Sequence, residues 1–481
     1  MFVPLLVLII AFAGLAVDMG ALYNRKVELS GMAKAVALAA ARELNGKPDG
    51  IAAALVKARE TAERFTYRYG APVTWDNAAL KFGTSPSRSG GWVDAAAVPD
   101  PSSYYFVKVD TSGLGAEVAT VGTWFMPVLS ESLRTVELAD SAVAGRAAID
   151  AVPLAVCAMS DQEAAERVNP GLGSSELVEY GFRRGVSYDL MQLNPKGTAP
   201  ARYLINPVSA PGMSGASFDT SIIGSFMCPG TMWIPRLTGG SIHVSSLPPA
   251  SPLASLHTQL NSRFDDYGQG ACAPSGAPPD INIKAFAYDS AGGAPWMSPA
   301  TGSPAALPTT ERGKLETVAD IPPPGSTLPT LTPGAYGPLW SYARAAKYAA
   351  FTQGVPEPNN GYPTFGTGDW GKLYLSGPAA AGYPNGSPRS TPYNPIGTAN
   401  PATVLAPSAS RKEFATQFRR LLHVPLLSCA GAVPTGAHTT ATIVGIGKFF
   451  MTVPATQDRL IAEFAGSAPE QSIPGAVELY P

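Results

Sequence analysis

The sequence predicts an α+β fold led by a long N-terminal helix, and three observations carry that prediction. Residues 1–17, MFVPLLVLIIAFAGLAV, contain no charge and pass without interruption into helically spaced residues. Strand-like stretches come next, beginning with 78–82 and 104–110. From about residue 151 the chain mixes short apolar runs with long Pro/Gly-rich segments, the pattern of a larger mixed α/β domain with long loops.

At ~1.5 Å per residue, 17 helical residues span ~26 Å, close to the ~30 Å hydrocarbon core. A removable signal peptide has a basic start, a shorter apolar core and a small-residue cleavage site. Here the apolar run continues into Asp18-Met19-Gly20-Ala21-Leu22-Tyr23, so residues 1–17 are expected to be a retained transmembrane anchor with Asp18 at its boundary. Beyond it, Leu22, Leu29, Met32, Val36 and Ala40 share one face, with Arg25, Lys26, Glu28, Lys34 and Arg42 mostly off it. Asn45-Gly46 and Pro48 end this amphipathic extension. A second helix is expected over 51–69, with Ile51, Leu55, Ala62 and Phe65 inward.

Strands are then expected at 78–82, 104–110 and 136–149, with a short apolar element at 122–129 in a membrane-proximal or core position. These close a small α+β module spanning 18–150, and 151–481 forms the larger domain. Two near copies, Val152-Pro153-Leu154-Ala155-Val156-Cys157 and Val424-Pro425-Leu426-Leu427-Ser428-Cys429, read as short buried strands of one sheet. Helices are expected at 339–352, 410–422 and 456–464, and a strand at 440–452. Segments 291–339 and 376–408 are too rich in Pro and Gly for regular helix or central strand.

Only 15% of residues are charged, Gly 49 and Pro 47 make up about a fifth of the chain, and the cysteines number an even four. This composition favours export over the cytosol. The absence of Lys or Arg before the anchor, with Arg25 and Lys26 after it, would place the bulk of the chain in the cytoplasm, but long domains translocate largely regardless of charge. A net charge of −2 without a basic block argues against a nucleic-acid partner.

The residues 14–23, together with Lys26, Leu29, Ala35, Ala37, Leu38, Ala39, Ala40, Ala41 and Glu43, resemble the N-terminal region of TadE/TadG-like proteins. These belong to bacterial Flp/Tad pilus-assembly systems, as pilin-like or accessory envelope proteins with one N-terminal transmembrane helix. The run Trp124-Phe125-Met126-Pro127-Val128-Leu129 and Ala142-Val143-Ala144-Gly145 is similar to the region after that anchor in TadG-like proteins, and 260–265 and 444–454 also resemble parts of such proteins. The resemblance implies a single-pass inner-membrane protein whose C-terminal domain is periplasmic or surface-exposed, with pilin-like helices and other Tad components as partners. Two departures stand. Type IV pilins carry Glu at the fifth helix position, where this chain has Leu5, and no Gly-preceded processing site is present. Many TadG-like proteins also resemble von Willebrand factor A domains, whose metal site needs Asp-x-Ser-x-Ser. Cys157-Ala158-Met159-Ser160-Asp161, Asp110-Thr111-Ser112-Gly113-Leu114 and Asp219-Thr220-Ser221-Ile222-Ile223 all lack that set. A degenerate A-like fold is left open, with no metal and no cofactor expected.

The four cysteines, Cys157, Cys228, Cys272 and Cys429, are too dispersed for zinc. Cys228 and Cys272 sit in similar loops and are expected to pair, closing a loop worth roughly 4 kcal/mol. Cys157 and Cys429 would then pair across the two V-P-L strands, the alternative being buried free thiols. There is no G-x-S-x-G, P-loop or placed G-x-G-x-x-G, and His243, His257, His423 and His438 show no paired spacing, so no catalytic residue is assigned. Asp265, Asp266 and Asp280, beside Tyr267 and Asn282, are the best candidates for a calcium or sugar site, against a bland role in local pairing and turn capping. The expected function is non-catalytic pilus assembly through protein–protein contact; the competing reading is an exported adhesive or glycan-binding surface protein.

Overall fold

The computed structural model describes residues 2–45, 48–67, 71–87, 90–209, 218–238, 240–287, 296–297, 336–353, 355, 357–358, 360–374, 379–381, 383, 392–393 and 404–481, without the side chains of 2–8, 10, 67, 71–72, 102, 269 and 471. The chain divides into two compact units, residues 1–149 with 474–481, and residues 150–473.

The first unit is built on one continuous helix, α1 (Phe2–Arg42), followed by α2 (Pro48–Ala62). Alanines make the second half of α1 a strong helix former and let neighbours approach closely. Its residues Leu29, Met32, Val36 and Ala40 are buried at helical spacing. They share one core with Ile51, Ala54 and Ala58 of α2 and with Val107, Val109, Ala142 and Ala144 of the sheet beneath. After a small ribbon of β1 (Thr66–Tyr67) and β2 (Ala71–Pro72), that sheet is formed by β3 (Leu80–Gly83), β4 (Phe106–Asp110) and β7 (Ser141–Arg146). The C-terminal strand Val477–Tyr480 pairs antiparallel with β7 as the outermost strand. The stretch 474–481, grouped by sequence with the larger domain, therefore completes the first sheet. Between β4 and β7 the chain makes an excursion containing α3 (Ala116–Ala119), β5 (Thr120–Gly122) and β6 (Thr135–Glu137), the last two paired.

The second helix ends at Ala62 instead of 69, because Thr66 and Tyr67 are better strand formers and enter the ribbon, while the Phe65 carbonyl accepts the Val73 N–H. The single strand expected over 136–149 is broken at Asp140, whose carbonyl and N–H are both held by Thr111.

The second unit contains β8 (Leu154–Cys157), β9 (Ala165–Arg167), β10 (Glu176–Glu179), β11 (Phe182–Arg183), β12 (Ser187–Asp189), β13 (Arg202–Ile205), β14 (Ser241–Ser246), β15 (Leu421–Leu427), β16 (Thr439–Met451) and β17 (Ile461–Ser467), which makes the C-terminal strand β18. Strands β8, β13, β14, β16 and β15 close on themselves into a five-stranded barrel, since β16 pairs with both β14 and β15 and β15 pairs with β8. Closure removes the free edges of these strands. The β8–β15 contact is the parallel one, with Leu426 opposite Val156 and Leu427 opposite Cys157, so the two V-P-L segments do lie side by side. Strands β17 and β12 extend the sheet from the C-terminal half of β16. A doubly wound α/β fold needs a mostly parallel sheet with crossover helices; these described strands pair almost entirely antiparallel, and nothing in them supports the A-like alternative.

The strand expected at 440–452 is present as β16. The three helices expected in this unit are not, and each loses to a tertiary demand. In 339–352 the N–H groups of Ser341, Tyr342 and Ala343 donate to the buried Glu463 carboxylate at 2.6, 2.8 and 2.7 Å, leaving only a 3₁₀ turn at Tyr348–Ala350. In 410–422 turns lead into β15, whose apolar residues pair along β16. In 456–464 a turn closed by Thr456 and Arg459 feeds β17. Segments 291–339 and 376–408 lie mostly outside the described residues.

Ion pairs brace the β10–β11 hairpin from within. Tyr180 and Gly181, both at positive φ, form the two-residue β10–β11 turn, which suits the twist of a tight hairpin. Glu176 pairs with Arg183 at 2.8 Å, and Glu179 pairs with Arg184 at 2.6 Å. Desolvation pushes the Glu179 carboxyl up, but Arg184 and the N–H and hydroxyl of Ser467 override it and hold its pKa down at about 2. A depressed carboxylate contributes stability above its unfolded value that is lost as pH falls through the folded one. Stability worth up to about 3 kcal/mol should therefore disappear between roughly pH 4.5 and 2. Glu179→Gln should lack that segment of the profile when the two proteins are unfolded with urea across this range; superimposable profiles would refute the assignment.

Candidate functional site

Helix α1 grips the β4–β7 excursion by its backbone. The Asp18 carboxylate is 2% exposed and accepts the successive N–H groups of Trp124, Phe125 and Met126 at 2.9, 2.7 and 2.7 Å. Those amides open the 3₁₀ turn Met126–Val128, and an anion at such an N-terminus satisfies donors that the turn cannot. Two turns further on, Arg25 donates from Nε to the Val118 carbonyl at 3.1 Å and pairs with Glu28 at 2.8 Å. Lys26 reaches the Ala139 carbonyl at 2.7 Å. At the other end of the grip, the Phe125 ring lies so close to Gly14 that an added Cβ would stand 2.3 Å from it. Glycine is required there by close approach.

Asp18, expected at the anchor's boundary, is thus held by its own chain, and Arg25, expected mostly off the apolar face, is buried. The sequence did carry a signal: Asp18, Arg25, Leu29, Met32 and Val36 recur at helical spacing on one stripe. Replacing Asp18 with alanine should free the three amides, raising hydrogen exchange at Trp124, Phe125 and Met126 roughly tenfold or more while the α1–α2 core keeps its protection. Unchanged exchange at these three amides would contradict the grip.

The clasped turn faces outward. Trp124 and Val128 are each 85% exposed and Leu129 71%, so the apolar element at 122–129 belongs to no core. On the uncovered side of α1, Phe12, Val17, Met19, Tyr23 and Val27 are also exposed. Among the described residues no helix is long and apolar enough to cross a membrane, and most side chains of the expected anchor 1–17 lie outside the described set.

In the second unit the Cys157 and Cys429 Sγ atoms are 2.02 Å apart and those of Cys228 and Cys272 1.94 Å, with Cα separations of 5.5 and 5.7 Å, so both pairs stand at disulfide distance. The candidate ligand carboxylates are turned to internal donors. Asp265 takes the Ser408 N–H at 2.7 Å and the Arg411 guanidinium. Asp266 caps Gly268 at 2.9 Å. Asp280, fully buried, accepts the N–H groups of Asn282 and Arg420 at 2.9 and 3.0 Å and the Tyr393 hydroxyl, and burial pushes its carboxyl up. Among the described residues no group of three or more His, Cys, Asp and Glu is placed to hold a metal ion. His423 bonds through Nδ1 to the Asp150 carbonyl at 2.8 Å, and desolvation holds its pKa down. A cavity of about 340 Å³ is lined by Arg184, Arg344, Lys448, Glu357, Tyr342 and Tyr362 among others, a mixture of cations, a carboxylate and aromatic faces.

No curated protein and no solved structure matches this chain. Residues 1–43 match the family described as putative Flp pilus-assembly TadE/G-like. That match covers all of α1, including Gly14, Asp18, Arg25 and the alanine-rich face packed on the sheet. Over residues 1–43 the N-terminal helix of this chain is therefore similar to the TadE/G-like Flp pilus-assembly family.

Proposed function

We propose that this protein is a non-catalytic, membrane-anchored assembly component of a Flp/Tad pilus system, acting through protein–protein contacts. Residues 1–17 cross the inner membrane once, and the rest of the chain lies on the exported side, periplasmic or at the surface. The observation that carries this reading is the family match over 1–43 on a helix with two differently used faces. One face is consumed by the protein's own sheet, and the other leaves Met19, Tyr23 and Val27 uncovered beyond the anchor. An exposed apolar stripe at helical spacing is a surface for a partner helix. Two cysteine bonds, Cys157–Cys429 and Cys228–Cys272, fit the oxidising side of the membrane.

Met19→Asp combined with Val27→Asp tests the reading in cells. The expected result is membrane-bound protein with loss of surface pili; normal piliation would overturn it. The adhesive or glycan-binding alternative draws on the cavity beside Arg344, Tyr342 and Tyr362. Degradation of the head by protease added to intact cells would favour that alternative, and protection would favour a periplasmic assembly role.

A further inference from the structure

We propose that the turn carrying Trp124, Phe125, Val128 and Leu129 is a second membrane-contact element, seated in the lipid interface beside the anchor helix; this rests on the anchor reading above. The placement comes from the grip on α1. Gly14 lies inside the uncharged segment 1–17, so a ring packed against Gly14 stands at the same depth as that residue. Asp18, ~6 Å further along at 1.5 Å per residue, fixes the turn's backbone at the end of the apolar segment. The turn's own chemistry agrees. Residues 118–130, VATVGTWFMPVLS, contain no charge, and the next charged pair, Glu131 and Arg134, neutralises itself at 2.7 Å. A tryptophan 85% exposed at the border of an apolar helix is the side chain enriched where hydrocarbon meets headgroups. Several backbone polar groups that lipid would otherwise leave unsatisfied are already used: the N–H groups of Trp124, Phe125 and Met126 by Asp18, the Phe125 carbonyl by the Val128 N–H, and the Met126 carbonyl by the Leu129 N–H. Lipid is favoured over a protein partner because the turn is continuous with a segment whose composition already demands hydrocarbon.

The test uses the full chain in vesicles of phosphatidylcholine and phosphatidylglycerol with bromines at shallow or deep acyl positions. Shallow bromines should quench a component of tryptophan emission that is lost in Trp124→Phe, and Leu129→Asp should reduce the same component. Equal quenching in wild type and Trp124→Phe, with both proteins vesicle-bound, overturns the proposal and leaves the anchor standing. A photo-crosslinker at position 124 that captures a second copy, with no bromine quenching, also overturns it. Failure of the full chain to associate with vesicles overturns the anchor reading and this proposal together.

Discussion

Arg420→Met should destabilise the 150–473 unit by about 3–5 kcal/mol, the range for removing one partner from a buried charged network. Arg420 is fully buried. Its guanidinium donates to the Met451 carbonyl at 2.9 and 2.7 Å, to Asn282 at 2.7 Å and to Thr452 at 3.2 Å. It also lies 4.4 Å from the ring centroids of both Phe264 and Phe450. Methionine fills much of the volume but supplies no donor, so these carbonyls lose their partner in a dry interior. Asp280, whose carboxylate accepts the Arg420 N–H, also loses its nearby positive charge. Desolvation pulls the Arg420 pKa down to about 10, against the pull of Tyr393 and Asp280, so the side chain remains charged at neutral pH. Chemical denaturation should show a lower midpoint with an unchanged slope. A loss below about 1 kcal/mol would mean that the network contributes little beyond packing.

Breaking the proposed Cys157–Cys429 bond should have an effect of similar size. The pair encloses a sequence separation of 272 residues, for which the chain-entropy relation gives about 5.6 kcal/mol. The Cys228–Cys272 bond, with a separation of 44, gives about 4 kcal/mol. Cys157 ends β8 and Cys429 lies just past β15, the strands whose parallel pairing helps close the barrel. Cys157→Ser with Cys429→Ser should therefore lower the thermal midpoint of this unit more than Cys228→Ser with Cys272→Ser. Alkylation without reductant should label neither pair in protein recovered from the exported side. Ready labelling of all four thiols would remove both the bonds and a principal support for export.

The parts legible in the sequence were those set by local pattern. The helix through Leu29, Met32, Val36 and Ala40, the strand at 440–452 and the adjacency of the V-P-L segments follow from apolar periodicity and short motif identity. Expected helices are absent where a distant group claims the backbone. The N–H groups of Ser341, Tyr342 and Ala343 are taken by Glu463, more than a hundred residues away, and no local window contains that information. Barrel closure was likewise invisible, because β14 meets β16 across almost two hundred residues. The site was half legible. The apolar composition of 122–129 stood out, but its clasp by Asp18 spans more than a hundred residues and depends on three backbone amides, which carry no side-chain signature.

Flotation of the full chain with lipid vesicles, beside a form lacking residues 1–17, addresses the central claim most directly. The full chain should rise with the vesicles and resist alkaline carbonate, while the shortened form should remain in the aqueous fraction. Full-length protein that stays at the bottom of the gradient would contradict the account.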